Sequence, residues 1–193
     1  MLLLRDSAEN EVVERDAIEI GQGDDFIQRR RMHASFVLVE VSGLHADVSG
    51  GFFIVQGNAD TRACIRLSGA DVIFGGEVKE PLRDEMGGLG ARSNLKGYAM
   101  EYMTSGRVLV MGDPGPWMCA GMTGGVIYQR IQPEMGLNID AIQRRLAYGS
   151  VVEIYQLDEQ GIEDVREMLN RYVETLEVNN QAEAVKNLYP LLH

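Results

Sequence analysis

VSGGFFIVQG (48–57) is a ten-residue pattern that recurs in this chain as LSGADVIFGG (67–76) and as MTSGRVLVMG (103–112). Its first half returns as MTGGVIYQ (122–129). The starts of these copies are 19, 36 and 19 residues apart, and a degenerate copy, MGGLGARS, begins at Met86 within the longer interval. A constant period near twenty residues is typical of a solenoid, because each unit is too short to bury its apolar face alone.

The residues inside each copy indicate the type of solenoid. The apolar runs are three or four residues long, rich in β-branched residues and bounded by glycine, so we predict strands at Phe52–Val55, Val72–Phe74, Val108–Met111 and Val126–Tyr128. Of the 22 glycines, 18 lie between Gly43 and Gly136, where turns and closely stacked backbones require them. The leucine-rich pattern and the six-residue period of left-handed helices are both missing. We therefore expect a mainly β fold, a single-stranded right-handed parallel β-helix of five coils, with C-terminal α-helices.

Composition shifts divide the chain into three parts. Residues 1–35 are predicted to form a charged N-terminal cap, 36–137 the β-helix with coils of about 19 residues, and 138–193 a helical cap with one strand. FVLVEV (Phe36–Val41) reads as a strand that leads into the first coil.

The C-terminal part contains the clearest helical patterns. Asn138 is expected to cap a short helix with Ile139, Ile142 and Leu146 on one face, and residues 151–155 alternate as a strand does. Asp158 is expected to cap a helix over 157–175, and a second helix is expected from Asn180, with Glu183 at capping-box distance, to Pro190. The apolar face of the longer helix is predicted at Ile162, Val165, Leu169, Tyr172 and Leu176, and its solvated face at Glu159, Glu163, Asp164 and Glu167.

Charge and composition exclude several classes of function. A net charge of −11 and a pI of about 4.7 argue against a nucleic-acid partner, and no apolar stretch reaches the eighteen residues of a membrane span. MLLLRDSAENE lacks the features of a signal peptide, and two cysteines are typical of a reducing compartment, so we expect a cytoplasmic protein. Cys64 and Cys119 fall at the same position of their repeats, three coils apart by this count, and are predicted to be buried and unpaired.

A search for catalytic motifs returns nothing. The chain has no P-loop, HExxH, GxSxG or CxxC, and His33, His45 and His193 share no ligand spacing. Glycine-rich stretches recur with the coil period, which favours turns over phosphate cradles. We therefore predict no catalytic, cofactor-binding or metal-binding residue. Trp117, between Pro116 and Met118, is either a core residue or an interface anchor.

One stretch resembles a known family. MEYMTSGRVLVMGDPGPWMCAGMTGGVIY (Met100–Tyr128) is similar to the C-terminal GXGXG domain of glutamate synthase, which carries CEYMTGG and AGMSGG segments. Arg66–Ala70 resembles the preceding coil of that domain, and Val152–Glu174 resembles its acidic closing helix. The chain departs from the family at Met100 and Ser105, and about twenty residues, 78–97, are inserted, which we expect to add one coil.

This resemblance implies a stand-alone, non-catalytic scaffold subunit of a glutamate synthase-type amidotransferase complex. Glutaminase-type and FMN-barrel subunits would be its partners, and FMN and the iron–sulfur cluster would belong to them rather than to this chain. Independently of the resemblance, a five-coil solenoid has two exposed ends and flat sheet faces, so we expect the chain to form a homo-oligomer when alone or to bind such subunits in the cell.

Two alternatives remain open from the sequence. One is the β-helix subunit of a formylmethanofuran dehydrogenase or of a formyltransferase/hydrolase complex, which resembles the same solenoid. The other is an independent β-helix enzyme, which the lack of a carboxylate row at constant offset in the repeats disfavours.

Overall fold

The computed structural model describes residues 2–6, 50–84 and 92–192. These residues form one six-stranded sheet, in the order β2-β3-β4-β5-β1-β6. The strands are β1 (Leu2–Asp6), β2 (Phe52–Val55), β3 (Ser68–Phe74), β4 (Ser105–Val110), β5 (Val126–Gln129) and β6 (Val152–Gln156). The helices are α1 (Ile139–Arg145), α2 (Glu159–Val178) and α3 (Ala182–Leu188), with 3₁₀ turns at Pro133–Met135 and Tyr189–Leu191. The strand predicted at 36–41 and the repeat at Met86 lie outside the described residues.

Strands β2 to β5 are parallel and lie side by side in chain order, which confirms the four strands predicted from the repeat. Their register follows the repeat spacing. Phe53 pairs with Val72, Val72 pairs with Val108, and Val108 pairs with Ile127, at offsets of 19, 36 and 19 residues. Because β3 and β4 pair directly, the residues between them add no strand to the sheet at this point. The prediction that the 78–97 insertion forms its own coil is therefore wrong, and the residues of the insertion that the structure describes, 78–84 and 92–97, lie in the connection between β3 and β4.

Each of β2, β3 and β4 leads into a tight turn, and we call one strand with its turn a layer. The three turns, at 61–66, 97–102 and 116–121, stack directly on one another. Arg62 donates its backbone N–H to the Gly97 carbonyl at 2.8 Å, and Tyr98 donates in the same way to Pro116 at 2.9 Å. In the next layer the backbone N–H of Ala147 donates to Met118 at 2.9 Å. The stacked turns therefore repeat the order of the strands.

The central parallel strands β3 to β5 are buried on both sides, which explains why their apolar runs do not alternate with polar residues. On one side Val72, Val108 and Ile127 pack against the stacked turns in the larger core. On the other side Ile73, Leu109 and Tyr128 pack against α2 and α3 in a second core. The first residue of each repeat that the structure describes is also buried in the larger core: Leu67, Met103 and Met122.

The sheet continues beyond β5 through antiparallel strands. β1 pairs with β5 on one side and with β6 on the other, so the first residues of the chain extend the sheet past the last parallel strand. β6 lies one residue further along than predicted. Asn138 caps α1 by accepting from the Ala141 N–H at 2.9 Å, as predicted, but Ile139 is 51% exposed and does not share the buried face of Ile142.

Helix α2 begins as predicted, with the Asp158 side chain accepting from the Gly161 N–H at 2.7 Å. Four of the five predicted core residues are buried, whereas Ile162 is 44% exposed. Gly161 is buried at the first turn of α2, where an added Cβ would lie 3.1 Å from Leu157, 3.2 Å from Asp158 and 3.5 Å from the Tyr128 ring. The cap predicted at Asn180 is wrong, since Asn180 has a left-handed φ of 57° and α3 begins at Ala182 without a side-chain cap.

In the part of the chain that the structure describes, no helix is both long enough and apolar enough to cross a bilayer.

Candidate interface on the stacked turns

The three stacked turns share an unusual backbone conformation. Every second residue is left-handed, with φ between 54° and 63°, at nine positions: Arg62, Cys64 and Arg66 in the first turn, Tyr98, Met100 and Tyr102 in the second, and Trp117, Cys119 and Gly121 in the third. Only one of the nine is glycine, although a side chain in this region costs about 1–2 kcal/mol. Hydrogen bonds between the layers hold these positions, and the turns therefore form three columns of equivalent residues.

The middle column faces the core. Cys64, Met100 and Cys119 are fully buried, and both cysteines are free thiols. Burial raises the pKa of both thiols far above its ordinary value, so neither is a reactive thiolate at neutral pH. The prediction of buried, unpaired cysteines is confirmed, but the two lie two layers apart rather than three, with Met100 between them.

The outer columns face solvent and form what we call the turn face: Arg62, Arg66, Tyr98, Tyr102 and Trp117. Tyr98, Tyr102 and Trp117 are 38%, 51% and 52% exposed. The rings of Tyr98 and Trp117 are stacked, with centroids 5.1 Å apart and planes 26° from parallel, and the Arg62 guanidinium lies 5.8 Å from the Tyr98 centroid on the preceding layer. Trp117 is therefore not a core residue, which answers the question that the sequence left open.

A partly hidden carboxylate lies beside this ladder. Glu101 is 13% exposed, and its Oε2 atom is 3.7 Å from the Arg62 Nε atom. That oxygen is buried and has no hydrogen-bond partner in the described part of the chain. The exposed charges of the turn face are therefore those of Arg62 and Arg66.

A second polar cluster is internal. The Arg145 side chain is fully buried, with Nε and Nη2 donating to Asp113 at 2.5 and 2.8 Å. Its Nη1 and Nη2 atoms donate to Asp84 at 3.0 and 3.1 Å, and Nη1 also donates to the Ala141 carbonyl at 2.8 Å. Burial alone would lower the pKa of Arg145, but the two carboxylates outweigh it and raise that pKa. For Asp84 the directions are reversed. Burial acts to raise the pKa of this carboxyl, but hydrogen bonds and charge from Arg145 and Arg144 outweigh burial and hold the pKa below its ordinary value. All five guanidinium donors are engaged, so this cluster supports the fold.

A third cluster joins the sheet to α2. Arg107 on β4 donates to Asp71 at 2.9 and 2.5 Å, to Asp164 at 3.1 Å and to Glu167 at 3.0 Å. These hydrogen bonds, led by those to Asp71, raise the pKa of Arg107. The Tyr128 hydroxyl also donates to Asp164, and burial, together with this bond, raises its pKa. The prediction that Asp164 and Glu167 belong to a purely solvated face is wrong, because both anchor α2 to the sheet.

The glycines and histidines that the sequence singled out are the remaining candidates for functional residues. The glycine-rich stretch at 121–125 is one of those predicted to form turns rather than phosphate cradles; Gly121 and Gly125 have φ values of 63° and 93°, whereas Gly124 does not have a positive φ. His33, His45 and His193 lie outside the described residues. Among the residues that are described, no group of His, Cys, Asp and Glu has the arrangement of a metal site.

Comparison with known proteins identifies relatives of this chain. The family model described as the GXGXG motif matches residues 92–191. The ferredoxin-dependent glutamate synthase of Cyanidium caldarium is 27% identical over an alignment of 162 residues that covers 74% of this chain and 9% of that protein. The glutamate synthase [NADPH] large chain of Bacillus subtilis (strain 168) is 27% identical over 124 residues, 64% of this chain and 7% of that protein. The chain thus spans less than a tenth of the length of these relatives. No solved structure matches it significantly.

Proposed function

Because this chain belongs to the GXGXG motif family and is a GXGXG-domain relative of glutamate synthase, we propose that it is a scaffold subunit of a glutamate synthase-type complex. The proposed subunit buttresses glutaminase-type and FMN-barrel subunits in the cytoplasm and carries no catalytic residue. FMN and the iron–sulfur cluster reside in the partners. The family match over residues 92–191 carries this proposal, since it takes in the second and third stacked turns, the strands β4 to β6 and all three helices.

A right-handed parallel β-helix is the architecture that we propose for the scaffold. The strand order, the register offsets that equal the repeat period, and the stacking of three equivalent turns support it. A solenoid of this kind gives a rigid, elongated surface on which other chains can be held at fixed positions.

The polar clusters of the described residues support a non-catalytic role. The guanidinium groups of Arg107 and Arg145 are engaged by carboxylates of the same chain, and both cysteines are buried with raised pKa values. A catalytic group needs access to substrate and a pKa suited to proton transfer or attack. These groups serve the fold instead.

The test has two parts. The purified chain is assayed for flavin absorbance and for ammonia release from glutamine, and it is then mixed with the glutaminase-type and FMN-barrel subunits of its host. We expect a colourless chain without glutaminase activity that forms a stoichiometric complex with at least one subunit, seen by size-exclusion chromatography with light scattering. Ammonia release by the chain alone at an enzymatic rate would favour the independent β-helix enzyme instead.

A further inference from the structure

The two sides of the layered core are covered unequally. On the sheet side, α2 and α3 bury Ile73, Leu109 and Tyr128. On the opposite side, the turn face leaves three aromatic side chains from 38% to 52% exposed on adjacent layers. Tyr148 is also fully exposed. It follows Ala147, which lies in the next layer and donates its backbone N–H to the Met118 carbonyl. Exposed aromatic residues that cluster on one surface mark an interaction site.

The turn face is also rigid. Tyr98 and Trp117 stack on each other, and Arg62 lies over the free side of Tyr98, so the three side chains hold one another in place. Their backbone positions are fixed by hydrogen bonds to the neighbouring layers. Preformed side chains lose little conformational entropy on binding, and Trp, Tyr and Arg are the residues that most often dominate binding energy at protein interfaces.

The charges on the two faces differ in sign. Arg62 and Arg66 are exposed at one end of the turn face, and Glu101 is largely hidden beside them. The exposed side of α2 is acidic on balance, with the exposed arginine Arg166 beside four exposed glutamates: Glu159, Glu163, Glu174 and Glu177. In a chain of net charge −11, the turn face is therefore suited to a partner that the helical face would repel, one that presents carboxylates.

We propose that the turn face docks a second protein chain whose contact surface is apolar at its centre and acidic where it meets Arg62 and Arg66. This inference rests on the proposed function in that the docked chain is one of the partner subunits. Trp117 and Tyr98 form the centre of the contact, with Tyr102 beside them. The arginines set its orientation through charge-assisted hydrogen bonds to carboxylates.

The experiment measures dissociation constants for the purified glutaminase-type and FMN-barrel subunits by biolayer interferometry. The turn-face variants are Trp117→Ala, Arg62→Glu and Arg66→Glu. Trp117→Ala keeps a non-glycine residue at the left-handed position, and Arg62→Glu and Arg66→Glu reverse the two exposed charges of the turn face. Two exposed residues of α2 provide matched controls, Ile162→Ala for the apolar change and Arg166→Glu for the charge reversal. Circular dichroism establishes that each variant is folded.

We expect each turn-face variant to weaken binding of one subunit about 10-fold or more, and each control to stay within about twofold. A wild-type complex that tolerates all three turn-face variants, or that is weakened only by the α2 variants, would overturn this inference and leave the proposed function standing. If Trp117→Ala loses binding and neither charge reversal does, the partner surface is not acidic, and the inference of an acidic partner is overturned.

Two further outcomes concern the occupant itself. If the wild-type chain binds neither subunit, the proposed function fails and the inference fails with it. If the wild-type chain instead self-associates and Trp117→Ala is monomeric in light scattering, the occupant is a second copy of this chain, which contradicts the inference.

Discussion

Replacing Arg145 by methionine tests how the buried ion cluster supports the fold. Methionine fills a similar length of side chain without charge or donors. The change removes both hydrogen bonds to Asp113, both bonds to Asp84 and the bond to the Ala141 carbonyl. Asp113 is 2% exposed, so its carboxylate stays buried, with the Gly115 N–H, at 2.9 Å, donating to one of its oxygens.

The expected loss of stability follows from the buried Asp113 carboxylate, which is left without its positively charged partner. Breaking a buried ion pair by removing one partner costs about 3–5 kcal/mol. For a chain of this size each kcal/mol lowers the melting temperature by about 2–4 °C, so we expect Arg145→Met to melt about 6–20 °C below wild type. Urea unfolding followed by circular dichroism at 222 nm gives the free energy of unfolding directly.

The adjacent arginine provides the control. Arg144 also donates to Asp84, at 2.9 Å, but its side chain is 54% exposed. An exposed pair contributes about 0–1 kcal/mol, so Arg144→Met is expected to be close to wild type. The double variant Arg145→Met with Asp113→Asn should recover part of the loss, because no buried charge is left unpaired. If Arg145→Met lies within 1 kcal/mol of Arg144→Met, the cluster does not support the fold as described.

Three more predictions concern single positions. Gly106→Ala should lower the free energy of unfolding by about 2–4 kcal/mol, because a Cβ there would lie 2.4 Å from the Ala70 carbonyl oxygen and the φ of Gly106 is 103°. Gly149→Ala is the control: Gly149 has a φ of 76° but open space around it, so the loss should be only about 1–2 kcal/mol. Equal losses in the two variants would contradict this prediction. Because the pKa of Asp84 is below its ordinary 3.8 in the folded chain, its contribution to stability is complete above about pH 4 and is lost as pH falls below that value; Asp84→Asn should therefore flatten the acid limb of a stability–pH curve, and an unchanged limb would argue against the ion pairs. Burial, together with the charge of Glu77, raises the pKa of Tyr172 to about 12, so the contribution of Tyr172 to stability is complete below pH 10 and is lost as pH rises towards 12. Tyr172→Phe should therefore reduce the fall of unfolding free energy with pH in this range by up to about 1.4 kcal/mol per pH unit, measured by urea unfolding. An unaltered slope would be evidence against this prediction.

The repeat predicted the strands and their register because one physical constraint produces both. Residues at equal positions of neighbouring units must stack, so the spacing of the copies becomes the pairing offset, as at Phe53 and Val72. The helix start at Asp158 was predictable for a similarly local reason, since a capping side chain acts within three residues of its own position.

Contacts between distant parts of the chain could not be predicted in this way. β1 pairs with β5 and β6 more than 120 residues later, and no spacing rule connects them. Arg107 and Asp164 are 57 residues apart, and helical periodicity alone places Asp164 on a polar face without showing that this face meets the sheet. The inserted residues after β3 match the repeat period in length, which led to the wrong expectation of an additional coil.

The left-handed turns were hidden from the sequence because glycine marks only one of their nine positions. Their conformation is set by stacking, and stacking also decides what the outer columns can hold. In the column of Tyr102 and Gly121, a Cβ on the glycine would lie 2.5 Å from the tyrosine ring, so one ring spreads over the next layer.

The other outer column holds Arg62, Tyr98 and Trp117, and its two rings lie on adjacent layers, where neither can spread over the other. Successive layers lie about 4.8 Å apart, a distance that suits rings placed one above the other, as Tyr98 and Trp117 are at 5.1 Å. Rings stacked in this way cover each other's faces but leave their edges in water. Because the fold itself sets this geometry, further packing within the three layers cannot bury the edges of these rings. Contact with another chain can bury them.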